Sequence, residues 1–292
     1  MSELSVLELS EICNKLGESY PKNIVQISGG SIHNAFKLEF ENKAIFLKKN
    51  IRKEKFLKYE CHCLRDLGKF TNTKNIKTPE IYSYLDINNT ELLLIEWIEI
   101  VNSHQLRLGR GLAEMHLKSN QLNPKKFGYE IEGFIGLTRQ KSGWKKNWAD
   151  CFINLRIQPQ LEELKRKHYS TEKIGNLISK IKILLNDHEP TISLVHGDLW
   201  SGNFGINIFN KGIIFDPASW WADSEVDIAM TLLFGGFKQE FYDEYFKVLP
   251  KKKGFEQRIT VYNLYHVLNH ANMFGGGYLR QVDEYIQIIL NM

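Results

Sequence analysis

The sequence predicts an α+β protein with two lobes, the first rich in β-strands and the second mainly helical. The chain has 292 residues, which at about 150 residues per domain is enough for two domains or for two lobes that share a cleft. Strand patterns dominate up to residue 98, and helical periodicity dominates from residue 99 onwards. We therefore expect lobes at 1–98 and 99–292, with the functional site in the cleft between them.

A short helix and three strands are predicted to open the first lobe. Apolar and acidic residues recur at helical spacing over 3–17, and Gly17 stands where a helix commonly ends. Three β-rich runs follow, with a glycine-rich turn after the first and a polar turn after the second, which predicts an antiparallel meander. These runs cover 24–27, 35–40 and 44–48.

One helix and two further strands complete the prediction for the first lobe. Phe56, Leu57, Glu60, Leu64 and Leu67 fall on one helical face, and Gly68 occupies the position of a C-cap. After the break at Thr78-Pro79, strand patterns return at 80–86 and 92–98.

The second lobe is predicted to be helical around one small catalytic β-hairpin. Two short apolar runs read as strands, and the loop between them carries His, Asp, Trp and Asn side chains. The predicted strands are 193–195 and 212–215, and the predicted helices are 106–117, 144–156, 161–167, 174–186, 224–233, 239–246, 258–269 and 278–290.

Composition and charge exclude several classes of protein. With 38 basic and 34 acidic residues, the net charge of +4 is too small for a nucleic-acid-binding arm. The acidic N-terminus does not match a signal peptide, and no run of about 18 apolar residues occurs, so we expect neither export nor a membrane span.

The cysteines point to a reducing compartment. Cys13, Cys61, Cys63 and Cys151 are too few and too scattered for a disulfide framework, so we expect a cytoplasmic protein. The run Cys61-His62-Cys63 could form half of a zinc site, but the sequence offers no second cluster to complete four ligands. Buried helix thiols are the favoured interpretation.

The strongest functional signal is the segment His-Gly-Asp-Leu-Trp-Ser-Gly-Asn at 196–203, followed by Asp216 in Phe-Asp-Pro-Ala. Phosphoryl transfer needs a positioned hydroxyl and one or two Mg²⁺ ions on the phosphate oxygens. Asp198 could hold the hydroxyl, while Asn203 and Asp216 offer the oxygen ligands that Mg²⁺ prefers. The alternative is that these residues only terminate turns.

A phosphate-binding role is predicted for the first lobe. Lys48 ends an apolar strand near the glycine turn, and Glu60 on the next helix is the nearest plausible carboxylate to orient it. In that turn, Gly29, Gly30 and Ser31 could bring backbone N–H groups close to phosphate oxygens. No G-x-x-x-x-G-K-[ST] segment occurs, which excludes a Walker-type NTPase.

Together these segments resemble the fructosamine kinase family, a branch of the protein-kinase-like fold that aminoglycoside and choline phosphotransferases share. The resemblance covers roughly residues 20–280 and follows the family's order. Trp after Asp-Leu, and Asp-Pro-Ala in place of Asp-Phe-Gly, favour this branch. The matching segments are 28–34, 46–48, 108–116, 196–203, 225–230, 233–237 and 268–275. The family often has a cysteine near the place of Ser31, so the resemblance does not extend to thiol-based control of that loop.

The resemblance implies roles for individual residues. Asp198 would be the catalytic aspartate, Asn203 and Asp216 the Mg²⁺ ligands, and Lys48 a contact of the nucleotide phosphates. The strand end at 95–98 would bind adenine through backbone groups of Glu96, Trp97 and Ile98, with the Glu96 carbonyl and the Ile98 N–H as the main partners. Structural support, rather than chemistry, is expected of Asp227, His116 and His196.

The acceptor side is predicted from aromatic residues. Trp200 lies two residues beyond Asp198 and could stack on a sugar, and His270 belongs to a segment that the family keeps near its cleft. For Trp220 and Trp221, core packing and acceptor binding both remain open. Tyr262, Tyr265 and Phe274 follow helical spacing and are expected in the core.

These observations predict an ATP- and Mg²⁺-dependent kinase of a small molecule. The resemblance supplies the acceptor: the sugar hydroxyl, O3 by implication, of a ketoamine such as ribulosamine or fructosamine, either free or bound to a protein, in a deglycation reaction. The alternatives are a phosphotransferase for aminoglycosides, choline or similar amino alcohols, and a catalytically silent ATP-binding regulator.

Overall fold

The first lobe is built on a five-stranded antiparallel sheet with the order β1-β2-β3-β6-β5. The computed structural model describes residues 4–27, 33–71, 73–169 and 174–292. In chain order the elements are α1 (Val6–Leu16), β1 (Asn23–Ile27), β2 (Asn34–Glu39), β3 (Ala44–Asn50), α2 (Phe56–Thr71), β4 (Ile76–Lys77), β5 (Ile81–Ile87) and β6 (Thr90–Glu96). The predicted meander and both later strands are confirmed, except that β6 ends at Glu96 and not at residue 98.

The two faces of this sheet carry different helices. Because successive strand residues point to opposite faces, Ile45 and Leu47 of β3 join a core cluster with Ile12 of α1. Lys48 points to the other face, where α2 lies, and there its ammonium meets Glu60. The strand alternation thus decides which side of the sheet carries the charged pair.

Helix α1 has the ends that its sequence favours. The Ser5 hydroxyl accepts a hydrogen bond from the Glu8 N–H, and the Glu8 carboxylate accepts one from the Ser5 N–H at 2.7 Å, which forms a capping box. Gly17 ends the helix with a φ of +66°, a left-handed conformation that glycine adopts without strain. The buried Glu8 carboxylate also pairs with Lys49 at 2.8 Å, which attaches α1 to β3.

The C-cap predicted at Gly68 is wrong, because α2 continues to Thr71. Phe70 and Thr71 are both buried, and Phe70 joins the main core, so packing of the last turn outweighs the low helix propensity of glycine. The same helix also contributes Tyr59 and Leu67 to the core of the second lobe.

After residue 98 the described part of the chain contains nine strands, one π-helical turn and eight α-helices. They are β7 (Ile100–Val101), α3 (Leu106–Asn120), β8 (Phe127–Tyr129), β9 (Gly133–Ile135), β10 (Thr138–Gln140), β11 (Gly143–Lys145), α4 (Trp148–Phe152), a π-helical turn (Ile153–Ile157), α5 (Gln158–Arg166), α6 (Ile174–Asn186), β12 (Ile192–Val195), β13 (Phe204–Asn207), β14 (Gly212–Ile214), β15 (Trp220–Asp223), α7 (Glu225–Leu233), α8 (Gln239–Val248), α9 (Phe255–Phe274) and α10 (Gly277–Leu290). The mainly helical character predicted for this lobe is confirmed.

The hairpin predicted from strands 193–195 and 212–215 is wrong in one of its two strands. Strand β14 pairs with β13, whereas β12 pairs with β15 in a separate sheet with the order β11-β8-β15-β12. The sequence of a short apolar strand does not show which other strand it pairs with, so the hydrophobic pattern could not assign the pair. The segment 196–203 therefore runs between two sheets.

The helix predicted over 144–156 is also wrong at its start. Trp144 belongs to β11, where it pairs with Gly128 of β8. The helix begins only after Asn147, whose side chain accepts a hydrogen bond from the Asp150 N–H at 2.8 Å. An N-cap inside an otherwise periodic segment thus separates a strand from a helix.

Two short strands, β4 and β7, link the first 101 residues to the β13–β14 hairpin. Strand β4, from the first 98 residues, pairs in parallel with β14, and β7 pairs with β13. Their sheet has the order β4-β14-β13-β7. The boundary between residues 98 and 99 stays a prediction, and the two strands that flank the β13–β14 hairpin in this sheet come from opposite sides of it. None of the helices in the described ranges is long and apolar enough to cross a membrane.

Candidate active site

A cavity of about 500 Å³ lies between the first-lobe sheet and the 198–218 segment. It is lined by residues from β3, α2, the end of β6 and the loops around the β13–β14 hairpin. Nine of the residues predicted from the sequence are among them: Lys48, Glu60, Glu96, Trp97, Ile98, Asp198, Trp200, Asn203 and Asp216. Their functional roles stay predictions, but the cleft brings them together.

Lys48 connects the two sides of the cleft. Its Nζ lies 2.7 Å from Glu60 Oε1 and also contacts the Asp216 carboxylate. Burial opposes the charge on Lys48, but Asp216 and Glu60 outweigh that effect and raise its pKa. The contact predicted between Lys48 and Glu60 is therefore present, and the lysine stays charged at neutral pH.

Asp198 and Asn203 are held together within one turn. The Asn203 Nδ2 donates to the Asp198 carbonyl at 2.8 Å and to Asp198 Oδ2 at 3.3 Å. It also reaches the Asp216 carbonyl at 3.5 Å. Burial, and then the charge of Asp216, raise the pKa of Asp198 to about 7. Such a carboxylate is well suited to accept a proton from a hydroxyl.

A buried aspartate supports this turn from below. Asp227 accepts hydrogen bonds from the backbone N–H groups of His196 at 2.7 Å and Gly197 at 2.8 Å, and from the His116 ring at 3.0 Å. Burial alone would raise the pKa of Asp227, but the bond from His116 and the neighbouring charges lower it. The structural interpretation of Asp227 and His116 is confirmed.

His196 has a supporting role as well. Its Nε2 meets the Phe215 carbonyl at 2.9 Å, next to Asp216, and burial lowers the pKa of the ring. Gly197 has a φ of +85°, and a Cβ there would lie 2.2 Å from the Ala218 carbonyl oxygen. The turn therefore needs glycine at 197, which agrees with its place in the sequence motif.

The donor set fits a hard divalent cation. Asn203 supplies an amide oxygen to which no described residue donates a hydrogen bond, and Asp216 supplies a carboxylate that is 43% exposed in the cleft. Few oxygen ligands with room for water and phosphate suit Mg²⁺. The backbone of Asp216 has a φ of +58°, an unusual value for a residue other than glycine and one often found at functional sites.

The strand end predicted to bind adenine lies along the cleft. The Glu96 carboxylate is held by Lys77, with distances of 2.7 and 2.6 Å to its two oxygens, so its side chain is already engaged. The Trp97 ring stacks on Phe46, and its Nε1 donates to Glu99 at 2.6 Å. The polar side-chain groups of Glu96 and Trp97 are thus engaged, and binding of a base by the backbone of this segment stays a prediction.

The glycine turn falls outside the described residues. Gly29, Gly30 and Ser31 are therefore predictions without a structural outcome. His33, the next residue described, lines the cleft and packs against the Phe56 ring at 5.6 Å. Burial and the charge of Lys48 lower its pKa to about 4, so it is neutral at pH 7.

The residues predicted on the acceptor side separate into two groups. Trp200 lines the cleft and is 41% exposed, as an acceptor platform requires. His270 is not part of the cavity lining: its Nδ1 meets the His266 carbonyl at 2.8 Å, and its ring lies among Phe234, Phe274 and Tyr278.

The aromatic residues whose roles were open are also placed. Trp220 is fully buried in the core, whereas Trp221 is half-buried and packs against Phe70. Tyr262 and Tyr265 are in the core as expected. The prediction for Phe274 is wrong: it is 58% exposed because it is the last residue of α9.

Glu91 on β6 is a residue that the sequence analysis missed. Its fully buried carboxylate accepts hydrogen bonds from the backbone N–H groups of Leu57 at 3.2 Å and Lys58 at 2.9 Å. It also accepts bonds from Asn50 and Tyr84. Glu91 therefore caps the N-terminus of α2, the helix that carries Glu60. A glutamate directly before the apolar run 92–95 was the available signal.

The cleft holds a charged lysine–glutamate pair on one side and two aspartates with an asparagine on the other. Such a set of groups can bind phosphates and a hydroxyl together. This arrangement defines a protein-kinase-like phosphotransferase. The sequence model of the family described as fructosamine kinase matches residues 8–292. The chain belongs to the fructosamine kinase family.

Individual relatives agree with this assignment. A protein of Vibrio parahaemolyticus named "probable ketoamine kinase" is 37% identical over 271 residues, which cover 91% of this chain and 92% of the relative. The ketosamine-3-kinase of Mus musculus is 31% identical, with 90% and 94% covered. A crystal structure from Haemophilus somnus, provisionally named a fructosamine-3-kinase, has a TM-score of 0.86 at 26% identity, with 97% and 96% covered.

The fold extends beyond this family. An aminoglycoside phosphotransferase has a TM-score of 0.62 at 14% identity, covering 97% of this chain and 98% of its own. That likeness shows the fold alone. It confirms the protein-kinase-like architecture predicted from the sequence.

Proposed function

We propose that the protein transfers the γ-phosphoryl group of ATP to a sugar hydroxyl of a ketoamine, with O3 as the acceptor atom. The observation that carries the proposal is the convergence of Lys48, Asp198, Asn203 and Asp216 on one cleft. The names of the relatives, ketoamine kinase and ketosamine-3-kinase, support the acceptor class and the position.

Asp198 would act as the proton acceptor. Its carboxylate takes the proton of the sugar hydroxyl as the oxygen forms its bond to the γ-phosphorus, and the bond from that phosphorus to the bridging oxygen of ADP breaks. Its pKa of about 7 places the group close to neutral pH, where a general base works best. The bond between Asn203 and Asp198 fixes the direction of the carboxylate.

The phosphates would be bound from both lobes. Lys48 contacts phosphate oxygens, and Glu60 fixes the direction of its ammonium group. Asn203 and Asp216 would hold Mg²⁺, which when bound neutralises charge on the phosphate oxygens. Lys48 also contacts Asp216, so the lysine would bring the phosphate oxygens next to one of the expected Mg²⁺ ligands.

The acceptor sugar would stack on Trp200, whose exposed ring lies two residues from Asp198. Ribulosamine and fructosamine, free or on a protein amine, both fit this description. Phosphorylation at O3 would make the adduct prone to eliminate from the amine, which is the chemical basis of deglycation. We place the reaction in the cytoplasm, which the four free and buried cysteines support.

The test is phosphate transfer from ATP to ribulosyl-lysine and fructosyl-lysine, with the phosphorylated position read by NMR. An aminoglycoside and choline serve as competing acceptors, and Asp198→Asn serves as the inactive control. We expect a 3-phosphate on at least one ketoamine and no transfer to the competing acceptors. ADP release with an aminoglycoside or choline alone would contradict the acceptor, and Mg·ATP binding without turnover on any acceptor would contradict the enzyme.

A further inference from the structure

Gln140, the last residue of β10, lies buried between three elements of the protein. Its Nε2 donates to the Tyr59 hydroxyl at 3.0 Å and to the Ala218 carbonyl at 3.1 Å, and its Oε1 accepts from the Tyr265 hydroxyl at 2.9 Å. The side chain is 3% exposed. We propose that Gln140 is a positioning residue, which sets the place of the Asp216 carboxylate through the backbone of Ala218.

Asp216 needs such support because its own backbone is strained. A φ of +58° is unfavourable for an aspartate, and it persists only where the surroundings hold it. The following Pro217 has a fixed φ, so few rotations separate Asp216 from Ala218. Ala218 is held on both sides: its N–H donates to the His196 carbonyl at 2.9 Å, and its carbonyl accepts from Gln140.

The same amide reaches the helix that carries Glu60. Tyr59 precedes Glu60 in α2, and its hydroxyl accepts from Gln140 and donates to the Ser219 carbonyl at 3.1 Å. Glu60 and Asp216 are also the two carboxylates that contact Lys48. The segments that carry Glu60 and Asp216 are therefore linked twice: by Lys48 at the cleft, and by Gln140 in the protein interior.

Gln140 is itself fixed from behind. The Arg156 side chain, in the π-helical turn, donates to the carbonyl of the next residue, Lys141, at 3.0 Å. Its guanidinium stacks 3.9 Å from the centre of the Trp220 ring, two residues after Ala218. The end of β10 and the segment after Asp216 are thus attached to one rigid group, which makes a buried amide between them an effective positioning device.

This inference rests on the proposed function, because Asp216 matters there as a ligand of Mg²⁺. The test measures ADP binding by calorimetry, with and without Mg²⁺, for wild type and Gln140→Met, a variant that keeps the volume but removes both hydrogen-bonding groups. We expect ADP affinity in the presence of Mg²⁺ to fall about tenfold, and ADP affinity without Mg²⁺ to change less than about twofold. The kcat of phosphoryl transfer should fall by a similar factor, with the KM of the acceptor unchanged.

The matched control is Gln160→Met. Gln160 is also a buried amide, 2% exposed, but its partner at 2.6 Å is Asn272, and neither residue lines the cleft. This variant should lower the melting temperature without changing the Mg²⁺ dependence of ADP binding. A merely structural role for Gln140 would give the same result as the control, and would overturn the inference.

A second variant covers the case in which Gln140→Met does not fold. Tyr59→Phe removes one acceptor of the amide and should reproduce part of the loss of Mg²⁺-dependent affinity; unchanged affinity would overturn the inference. Where both variants fold, their effects should be non-additive in the double variant, because both act on one network. Wild-type protein that binds no ADP with Mg²⁺ would instead refute the proposed function, a result distinct from an unaffected variant.

Discussion

The ammonium group of Lys48 and the carboxylate of Glu60 form a buried ion pair, 2.7 Å apart, between β3 and α2. Their side chains are only 8% and 11% exposed, so neither charge is well solvated without the other. The pair places a charged lysine at the roof of the cleft, and under the proposed function it would couple the position of α2 to the binding of phosphate.

Lys48→Met should weaken both nucleotide binding and the fold. It removes a phosphate contact and leaves the buried Glu60 without its cation, so we expect ATP affinity to fall at least about tenfold and stability to fall by about 3 kcal/mol. Calorimetry and urea unfolding measure the two effects. Lys69→Met, at a lysine with a 66% exposed side chain, is the control. A variant that binds ATP as tightly as wild type would exclude the phosphate role.

Asp198→Asn should separate catalysis from binding. The amide cannot accept the hydroxyl proton, so kcat is expected to fall by about 10²- to 10⁴-fold, while ADP affinity stays within about twofold of wild type. A coupled ADP-release assay and calorimetry give the two values. The exposed Asp187→Asn should behave as wild type. Turnover close to that of wild type in Asp198→Asn would refute the proposed base.

Glu91→Gln should loosen α2 at its N-terminus. The neutral amide loses the charge that favours a helix N-terminus and turns an NH₂ group towards two of the four donors around Glu91, at a cost of about 2 kcal/mol. Because the shifted helix carries Glu60, ATP affinity should fall several-fold as well. Urea unfolding and calorimetry test both, with the exposed Glu41→Gln as control. Loss of stability with unchanged affinity would show that the cap does not control Glu60.

Trp200→Ala should raise the KM of the ketoamine about tenfold and leave the KM of ATP unchanged, because it removes only the indole ring on which the sugar would stack. Trp200→Phe should have a smaller effect, since a smaller aromatic face remains. Steady-state kinetics with either substrate varied measure this. Trp144→Ala is a closely matched control, since Trp144 is also 41% exposed and does not line the cleft. Equal KM values for the ketoamine in Trp200→Ala and wild type would show that Trp200 does not bind the acceptor.

His266 should make the fold less stable in mild acid. The ring is fully buried, neither of its nitrogens has a hydrogen-bond partner among the described residues, and burial lowers its pKa to about 3. In the unfolded chain, the His266 ring therefore takes up a proton near pH 6.5, whereas in the folded protein it stays neutral until the pH falls towards 3. The stability contribution is complete above pH 6.5 and declines as the pH falls towards 3, by about 2 kcal/mol at pH 5.

Urea unfolding at pH 7.5 and pH 5.0 tests this dependence. His266→Leu should lose about 2 kcal/mol less than wild type over that interval, because the titrating ring is gone. His104→Gln, at a histidine with a 78% exposed side chain, should leave the dependence unchanged. Parallel losses in wild type and His266→Leu would show that the buried ring is not the source.

Much of the fold could be read from local patterns. The strands β1 to β3 and helix α6 follow periodicities that depend on neighbours two to four residues away, and they lie where the sequence predicts them. The errors occur where packing outweighs the local signal. Gly68 stays inside a helix because Phe70 is buried beyond it, and β12 takes β15 as its partner where the pattern suggested β14.

The sequence alone predicted the chemistry of the site. Asp198 and Asn203 lie five residues apart in one turn, Lys48 lies within β3, and Asp216 follows β14. Residue type and spacing pointed to phosphoryl transfer, and the resemblance to the fructosamine kinase family supplied the role of each residue. Only the tertiary structure decided what holds these groups in place. The cap from Glu91 and the bridge from Gln140 join residues 33 to 125 positions apart. Such buried polar contacts depend on how helices and strands pack, and they leave no periodic trace in the chain.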